Sequence, residues 1–227
     1  MINLAPVITI DGLCGSGKSG LCQALSRHLN WFTLESGMMY RILACLFLKK
    51  NIPISEKFLT SVLNDLDHHF IYKNGFICNI INKNFSKKYI MSKKVTNTAS
   101  KLATFVYVRN YLFKKQKLFR QLPGLVANGR DMGTVVFPDA IIKFFLEATL
   151  ENRVSRRLED FKNQGYNFEF HILLDEMKKR DERDQNRQHS PLKMADNAII
   201  LDSNNITFLE VVQIAIKYIN QHDYFKD

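Results

Sequence analysis

An α/β fold is predicted, with a parallel sheet flanked by helices on both faces. Three observations predict it. Short β-branched runs alternate with longer segments of helical apolar spacing along the 227 residues. The first such run breaks into a glycine-rich turn that leads straight into a helix. The composition, 46% hydrophobic and 24% charged, is that of a globular chain large enough to bury a core without disulfides or a structural metal. No apolar run approaches the ~20 residues that span a bilayer. The N-terminus lacks the basic start of a secretory signal.

The elements follow in order. Pro6-Val7-Ile8-Thr9-Ile10, ending at Asp11-Gly12, reads as a buried strand. From Ser19 the spacing of Leu21, Cys22, Leu25 and Leu29 is helical. Phe32 to Glu35 is a second strand, and Met39 to Leu48 a mostly buried helix. Ser55-Glu56 opens a third helix with Phe58, Leu59, Val62, Leu63 and Leu66 on one side. Phe70 to Tyr72 and Phe76 to Cys78 flank Asn74-Gly75, which accepts the positive φ angles of a tight hairpin turn. A basic, Asn-rich stretch continues to Lys94, so Val62 to Lys94 reads as a small α/β insertion. Helices are expected near Val95 to Thr104 and Val106 to Leu122, the latter stopped by Pro123-Gly124. Leu125 to Asn128 and Ile141 to Leu146 are core strands. Leu150 to Gln164 is a basic amphipathic helix ending at Gly165, and Phe168 to Arg187 a second charged helix. Ala198 to Asp202 is the last strand, Ile206 to Ile219 the last helix.

Gly12-Leu13-Cys14-Gly15-Ser16-Gly17-Lys18-Ser19 matches G-x-x-x-x-G-K-[ST], after a strand and before a helix. This is a P-loop, and each residue type has a physical reason. Phosphate oxygens approach the backbone where no Cβ obstructs them. The turn and the helix N-terminus aim N–H groups at the anion. Lys18 supplies a mobile charge for the β and γ phosphates. Ser19 carries a hydroxyl suited to Mg²⁺, a hard cation. Ser16 and Gly20 complete the stretch, and Cys14 works through its backbone. The loop specifies a nucleoside triphosphate but not its fate. No NKxD-like guanine reader is present, and a motor or transporter ATPase needs a longer chain. A small phosphotransferase needs a second anion site and a basic segment that screens the γ-phosphate from water.

Charge supplies both. The chain carries 32 Lys+Arg against 22 Asp+Glu, and no acid falls between His68 and Arg130. A basic region attracts anions. One reading is a nucleic-acid-binding module using that acid-free stretch, which leaves Gly12 to Ser19 without a role. The other uses Ser36-Gly37-Met38-Met39-Tyr40-Arg41 and Asn128-Gly129-Arg130-Asp131-Met132-Gly133-Thr134, each continuing from a strand. It adds the run Lys178 to Arg187, where Arg180, Asp184 and Arg187 share one helix face. That face could instead be solvated and laced with Glu176–Arg180 and Arg180–Asp184 pairs. The cysteines (Cys14, Cys22, Cys45, Cys78) have no zinc-ligand spacing and read as free thiols of a reducing compartment.

ITIDGxxGSGKS, ESGxxYR, ANGRDMGTVVFPDA, KRDxRDxNR and PLxxADNAIILDS together resemble the bacterial cytidylate kinases, from about Pro6 to Ile219. The resemblance implies one P-loop kinase domain over residues 1–227, with core at 6–61, 95–148 and 188–227. It implies a monophosphate-binding insertion at about 62–94 and a basic helical lid at about 149–187. The implied reaction is ATP + CMP (or dCMP) to ADP + CDP (or dCDP), with Mg²⁺ held partly by Ser19. By the same resemblance Arg41, Arg130 and Arg187 hold the CMP phosphate, and Arg180 and Asp184 contact the ribose side. Ser100, Arg109 and Asp131 read cytosine, and Ser36 lies beside them in the substrate set. Lys18, Arg130, Arg180 and Arg187 carry the transfer, with Arg153, Arg156 and Arg157 in the closing segment. The partners implied are small molecules only, with no nucleic acid and no membrane, for a cytoplasmic monomer. Two positions depart from the family: Leu13 stands where a small residue or Pro is common, and Gly20 where Thr or Ser is frequent.

Overall fold

The computed structural model describes residues 4–80, 85–163, 165 and 167–226, with the side chains of Glu56, Phe76 and Cys78 excepted. Lys83 of the basic stretch and Gln164, the expected last residue of a helix, lie outside the described residues, as does the Cys78 thiol.

Five parallel strands make the central sheet: β1 (Val7–Gly12), β2 (Phe32–Glu35), β5 (Leu125–Asn128), β6 (Ile142–Glu147) and β7 (Ile199–Asp202). Their order is β2-β5-β1-β6-β7. β1 is central, with Ile8 opposite both Val126 and Ile142. It is buried along its whole length, as expected of a strand with helices on both faces. Its alternation divides the core. Val7 joins one cluster with Leu34, Leu125 and Ala127, covered by α2 (Ser36–Lys50), α3 (Glu56–Asp67), α5 (Lys93–Leu102) and α6 (Val106–Lys117). Ile8 and Ile10 join a second cluster under α1 (Lys18–Leu29) and α9 (Phe208–Gln221).

β3 (Phe70–Lys73) and β4 (Phe76–Ile80) form the hairpin, and Asn74 and Gly75 take φ of 51° and 81°. A short helix, α4 (Lys87–Ile90), precedes α5. The buried face of α3 runs without a break through Val62 into the first cluster, so position 62 falls inside a packed helix. α7 (Leu150–Asn163) and α8 (Phe170–Asn186) pair around a small cluster of their own, Val154, Leu173 and Met177.

α6 stops at Lys117, five residues before the expected Leu122. The chain leaves the helix because Phe119 turns into the first cluster and the Leu118 carbonyl accepts the Ile77 N–H at 2.9 Å. Arg120 then donates to the Ala5 carbonyl at 2.6 Å and pairs with Asp139 at 2.5 Å. These contacts are long-range, and local periodicity does not register them. α2 likewise starts at Ser36 directly off β2, three residues before its apolar stripe begins.

Candidate active site

The C-terminal ends of β1, β5 and β6 converge where β1 separates the two halves of the sheet, the crevice where open α/β sheets bind ligands. β1 delivers Asp11 and Gly12 there. Gly12 has φ of 145°, and a Cβ would overlap the Leu146 carbonyl oxygen of β6. Gly17 (φ 99°) caps α1, whose first residue is Lys18. Lys18 is buried and donates to the Leu13 carbonyl and to Ser16 Oγ at 3.3 Å. Burial, then the nearby Arg130, hold its ammonium well below the usual lysine range. Ser19 is exposed in the first helical turn, with Asn128 Nδ2 donating to its hydroxyl at 3.5 Å.

Of the two departures Gly20 has a physical correlate, and nothing in the structure explains the side chain at Leu13. Leu13 contributes its carbonyl, which accepts from both Lys18 and Ser16. At Gly20 a Cβ would sit 3.1 Å from the Phe208 ring of α9, so the phenyl occupies the space a larger residue would use. Cys14 has its carbonyl bonded to Arg153. Burial raises its thiol, but Arg180, Arg130 and Lys18 outweigh that and lower it below the ordinary cysteine value.

Beyond β5 the chain forms a tight π-helical turn, Met132–Val136, which no sequence pattern signals. Asp11 organises it. Its two carboxylate oxygens accept the Met132 N–H at 3.0 Å and the Gly133 N–H at 2.8 Å. In the sequence Asp11 shows as the end of a strand and inside the ITIDGxxGSGKS motif, with no sign of this role. Burial pushes its carboxyl up to about 6, against those two hydrogen bonds. An acid with a raised folded pKa binds its proton more tightly in the native state. Its contribution to stability is therefore full below the unfolded value near 3.8 and is lost as pH rises through about 6. Denaturant titrations should show the stability of the wild type relative to Asp11→Asn increasing by about 1 kcal/mol from pH 7 to pH 5. A difference that does not move with pH contradicts this account.

Arg130 and Asp131 sit at the head of the turn. Arg130 Nη1 donates to the Gly12 carbonyl at 2.8 Å, and its Nε donates to Asp184 of α8 at 2.8 Å. Despite burial, Asp184 raises the guanidinium pKa further, and Arg130 holds Asp184 below the usual carboxylate range. Asp131 pairs with Arg109 of α6, and Arg187 Nη2 lies 3.9 Å from its other oxygen. Arg109, Asp131, Tyr40, Phe113, Gln116 and His189 line a cavity of about 160 Å³. Gln116 donates to Ser36 Oγ at 2.8 Å and fixes the start of α2 beside it. Ser100 Oγ is buried without a hydrogen-bond partner among the described residues. Of these, Tyr40 was visible only inside the ESGxxYR motif, and Gln116 carried no signal.

Arg41 donates to Thr96 Oγ1 at 2.7 Å and to the Ile90 carbonyl at 3.0 Å. Burial lowers it to about 10, assisted by Arg180, Arg157 and Arg130. Arg180 Nε and Arg187 Nη2 are buried without hydrogen-bond partners among the described residues. Guanidinium groups with unused donors can form charge-assisted hydrogen bonds to an anion. The pairs proposed for a solvated face do not form. Glu176 binds Lys93 of α5, and Asp184 binds Arg130.

A family model described as cytidylate kinase matches residues 8–221. The chain is 45% identical to a cytidylate kinase from Erwinia tasmaniensis, covering 96% of both chains. It is 43% identical to one from Shigella boydii serotype 4, over 97% of this chain and 98% of the other. It is 44% identical to one from Buchnera aphidicola subsp. Baizongia pistaciae, over 99% and 98%. Among solved structures, an uncharacterized protein from Eubacterium ventriosum ATCC 27560 shares the fold, with a TM-score of 0.51, 16% identity and 95% of this chain covered against 98% of that one.

Proposed function

The chain belongs to the cytidylate kinase family, and on that premise we propose how its own residues move the γ-phosphoryl group of ATP onto CMP or dCMP. The observation that carries the assignment of roles is the position of Arg130. One guanidinium donates to the carbonyl of Gly12, in the loop that holds ATP, and to Asp184, in the helix that faces the monophosphate. The two nucleotides therefore share a wall, and their phosphates meet there.

The loop N–H groups and Lys18 hold the triphosphate. Arg41, Arg130 and Arg187 hold the CMP phosphate, Arg180 and Asp184 the ribose side, and Ser100, Arg109 and Asp131 the base, with Ser36 in the same substrate set. Transfer is direct and in line, with no covalent enzyme intermediate. Charge spreads over the equatorial oxygens of the transferring group, so placement of cations provides most of the catalysis. The monophosphate is already largely ionised near neutral pH, so no general base is needed.

Ser19 fits a Mg²⁺ ion. It offers an exposed oxygen at the loop, while no cluster of three or more His, Cys, Asp or Glu suited to a metal occurs among the described residues. Mg²⁺ keeps several of its waters and is bound through few protein groups plus substrate phosphates, the loop hydroxyl being one of them in P-loop proteins. When bound it would supply neutralisation of phosphate charge.

The separate apolar cluster under α7 and α8 supports the helical lid (about 149–187), whereas the monophosphate-binding insertion (about 62–94) shares the first apolar cluster with the core. No helix among the described residues is long and apolar enough to cross a membrane. Cys14, Cys22 and Cys45 are free, which suits a reducing cytoplasm. We read the protein as a monomer there, acting on small molecules rather than nucleic acid.

A coupled ADP-release assay across CMP, dCMP, UMP, AMP and dTMP tests the reading. CMP and dCMP should turn over fastest, and chelation of Mg²⁺ should stop both. No CMP-dependent ADP, or faster release with AMP or dTMP, overturns the substrate assignment. Salt-sensitive binding to nucleic acid without phosphoryl transfer supports the nucleic-acid module instead.

A further inference from the structure

The phosphate loop is tied to the lid helix α8 by two arms, and only one of them consists of residues already given a role. The first arm runs from the Gly12 carbonyl through Arg130 to Asp184. The second runs from the Cys14 carbonyl through Arg153 to Asp181. Arg153 Nη1 donates to the Cys14 carbonyl at 3.0 Å and to Asp181 Oδ2 at 2.6 Å. Its Nε donates to the Ala148 carbonyl at 3.0 Å, at the exit of β6. Asp181 and Asp184 are three residues apart, so they project from the same face of α8. The loop carbonyls they reach are two residues apart.

The charged run suggested that Arg153 joins a basic segment closing over the phosphates. The structure places it against the loop, only 3% exposed. The contact there is direct. A Cβ on Gly15 would lie 3.0 Å from Met177 Cε of α8 and 3.4 Å from Arg153 Cβ. Asp181 is also buried, and its Oδ1 has no partner among the described residues. A half-satisfied buried carboxylate weakens a purely stabilising account, because an apolar pair of similar volume would often hold the fold as well or better.

We propose that Arg153 and Asp181 are positioning residues for phosphoryl transfer, fixing α8, and with it Arg180, Asp184 and Arg187, in register with the loop that carries ATP. The proposal rests on the assignment of those three residues to the monophosphate side. Each nucleotide is gripped by its own groups, so breaking the second arm should leave binding of either one alone nearly intact. It should disturb their mutual alignment, where a displacement of about 1 Å can cost up to about 100-fold in rate.

The test uses Arg153→Met, Asp181→Leu, the double variant and Arg153→Lys in the full chain, assayed for kcat, KM for CMP, ATP affinity by calorimetry and Tm. Wild-type turnover of CMP is measured first; its absence would strike the proposed function rather than this inference. Each single truncation strands a buried charge and should lower Tm, and the double variant should recover it. The expected result is that kcat in the recovered double variant stays about 10- to 100-fold down, while CMP KM and ATP affinity move less than about threefold. Recovery of kcat together with Tm, or a kcat loss matched by a rise in CMP KM, overturns the proposal. Arg153→Lys covers the case where the double variant does not recover. It keeps the charge but cannot serve Asp181, Cys14 and Ala148 in the same fixed geometry. Assayed well below its Tm, it should lose about tenfold in kcat, and wild-type kcat there also overturns the proposal.

Discussion

Lys18→Ala should leave a folded protein that transfers phosphate at least about 100-fold more slowly, and the loss should lie mainly in kcat. The lysine adds a full charge where negative charge shifts during transfer, and removing one preorganised donor of that kind costs about 10²–10³ in rate. The fold should not suffer. The Lys18 ammonium is buried, lies near Arg130, and has the Leu13 carbonyl and the Ser16 hydroxyl as its acceptors among the described residues. A lysine whose folded pKa is lowered opposes folding at pH values where the unfolded chain holds that proton. Truncation should therefore leave Tm unchanged or raise it slightly, while the rise in Tm that saturating ATP gives the wild type shrinks. Near-normal kcat in this variant would show that Lys18 does not carry the transfer. A large fall in Tm would show that the loop needs the ammonium for its shape.

The sequence shows what is local. The strand, loop and helix from Val7 to Leu29 are readable because burial, the need for positive φ and phosphate chemistry all act over neighbouring residues. The Asn74-Gly75 hairpin is readable for the same reason. What does not show is set by groups distant in sequence. Asp11 looks like a strand end until the turn 121 and 122 residues later brings its N–H groups back. Arg153 reads from the sequence as part of a basic closing segment and Asp181 as one charge of a charged helix, and only their packing shows both buried, with Arg153 against the loop. The end of α6 depends on Phe119 and the hairpin, not on the proline that follows. The π-helical turn after Asp131 is imposed by Asp11 and has no pattern of its own.

Asp131→Asn should reduce the preference for CMP over UMP by about 100-fold or more. Cytosine offers an amino donor next to its N3 acceptor, and a carboxylate can only accept, so Asp131 suits the amine. Uracil places a carbonyl at that position and would set two acceptors against each other in a partly closed cavity. A site built from buried polar groups rejects the mismatched partner strongly, by up to about 10⁴–10⁵. Asparagine removes both halves of that discrimination. Its amide can turn to donate to the uracil carbonyl, and its interaction with the cytosine amine no longer carries charge. Asparagine is the informative substitution because Asp131 also pairs with Arg109, whose side chain is only 10% exposed. Alanine would strand that guanidinium and mix a stability loss into the result, whereas the asparagine oxygen can still accept from it. Competition between CMP and UMP for limiting enzyme gives the ratio of kcat/KM values directly. An unchanged ratio would mean that Asp131 serves to hold Arg109 and Arg187, and that the base is read elsewhere in the cavity, whose other polar lining residues include Tyr40, Asn110, Gln116, His189 and Ser190.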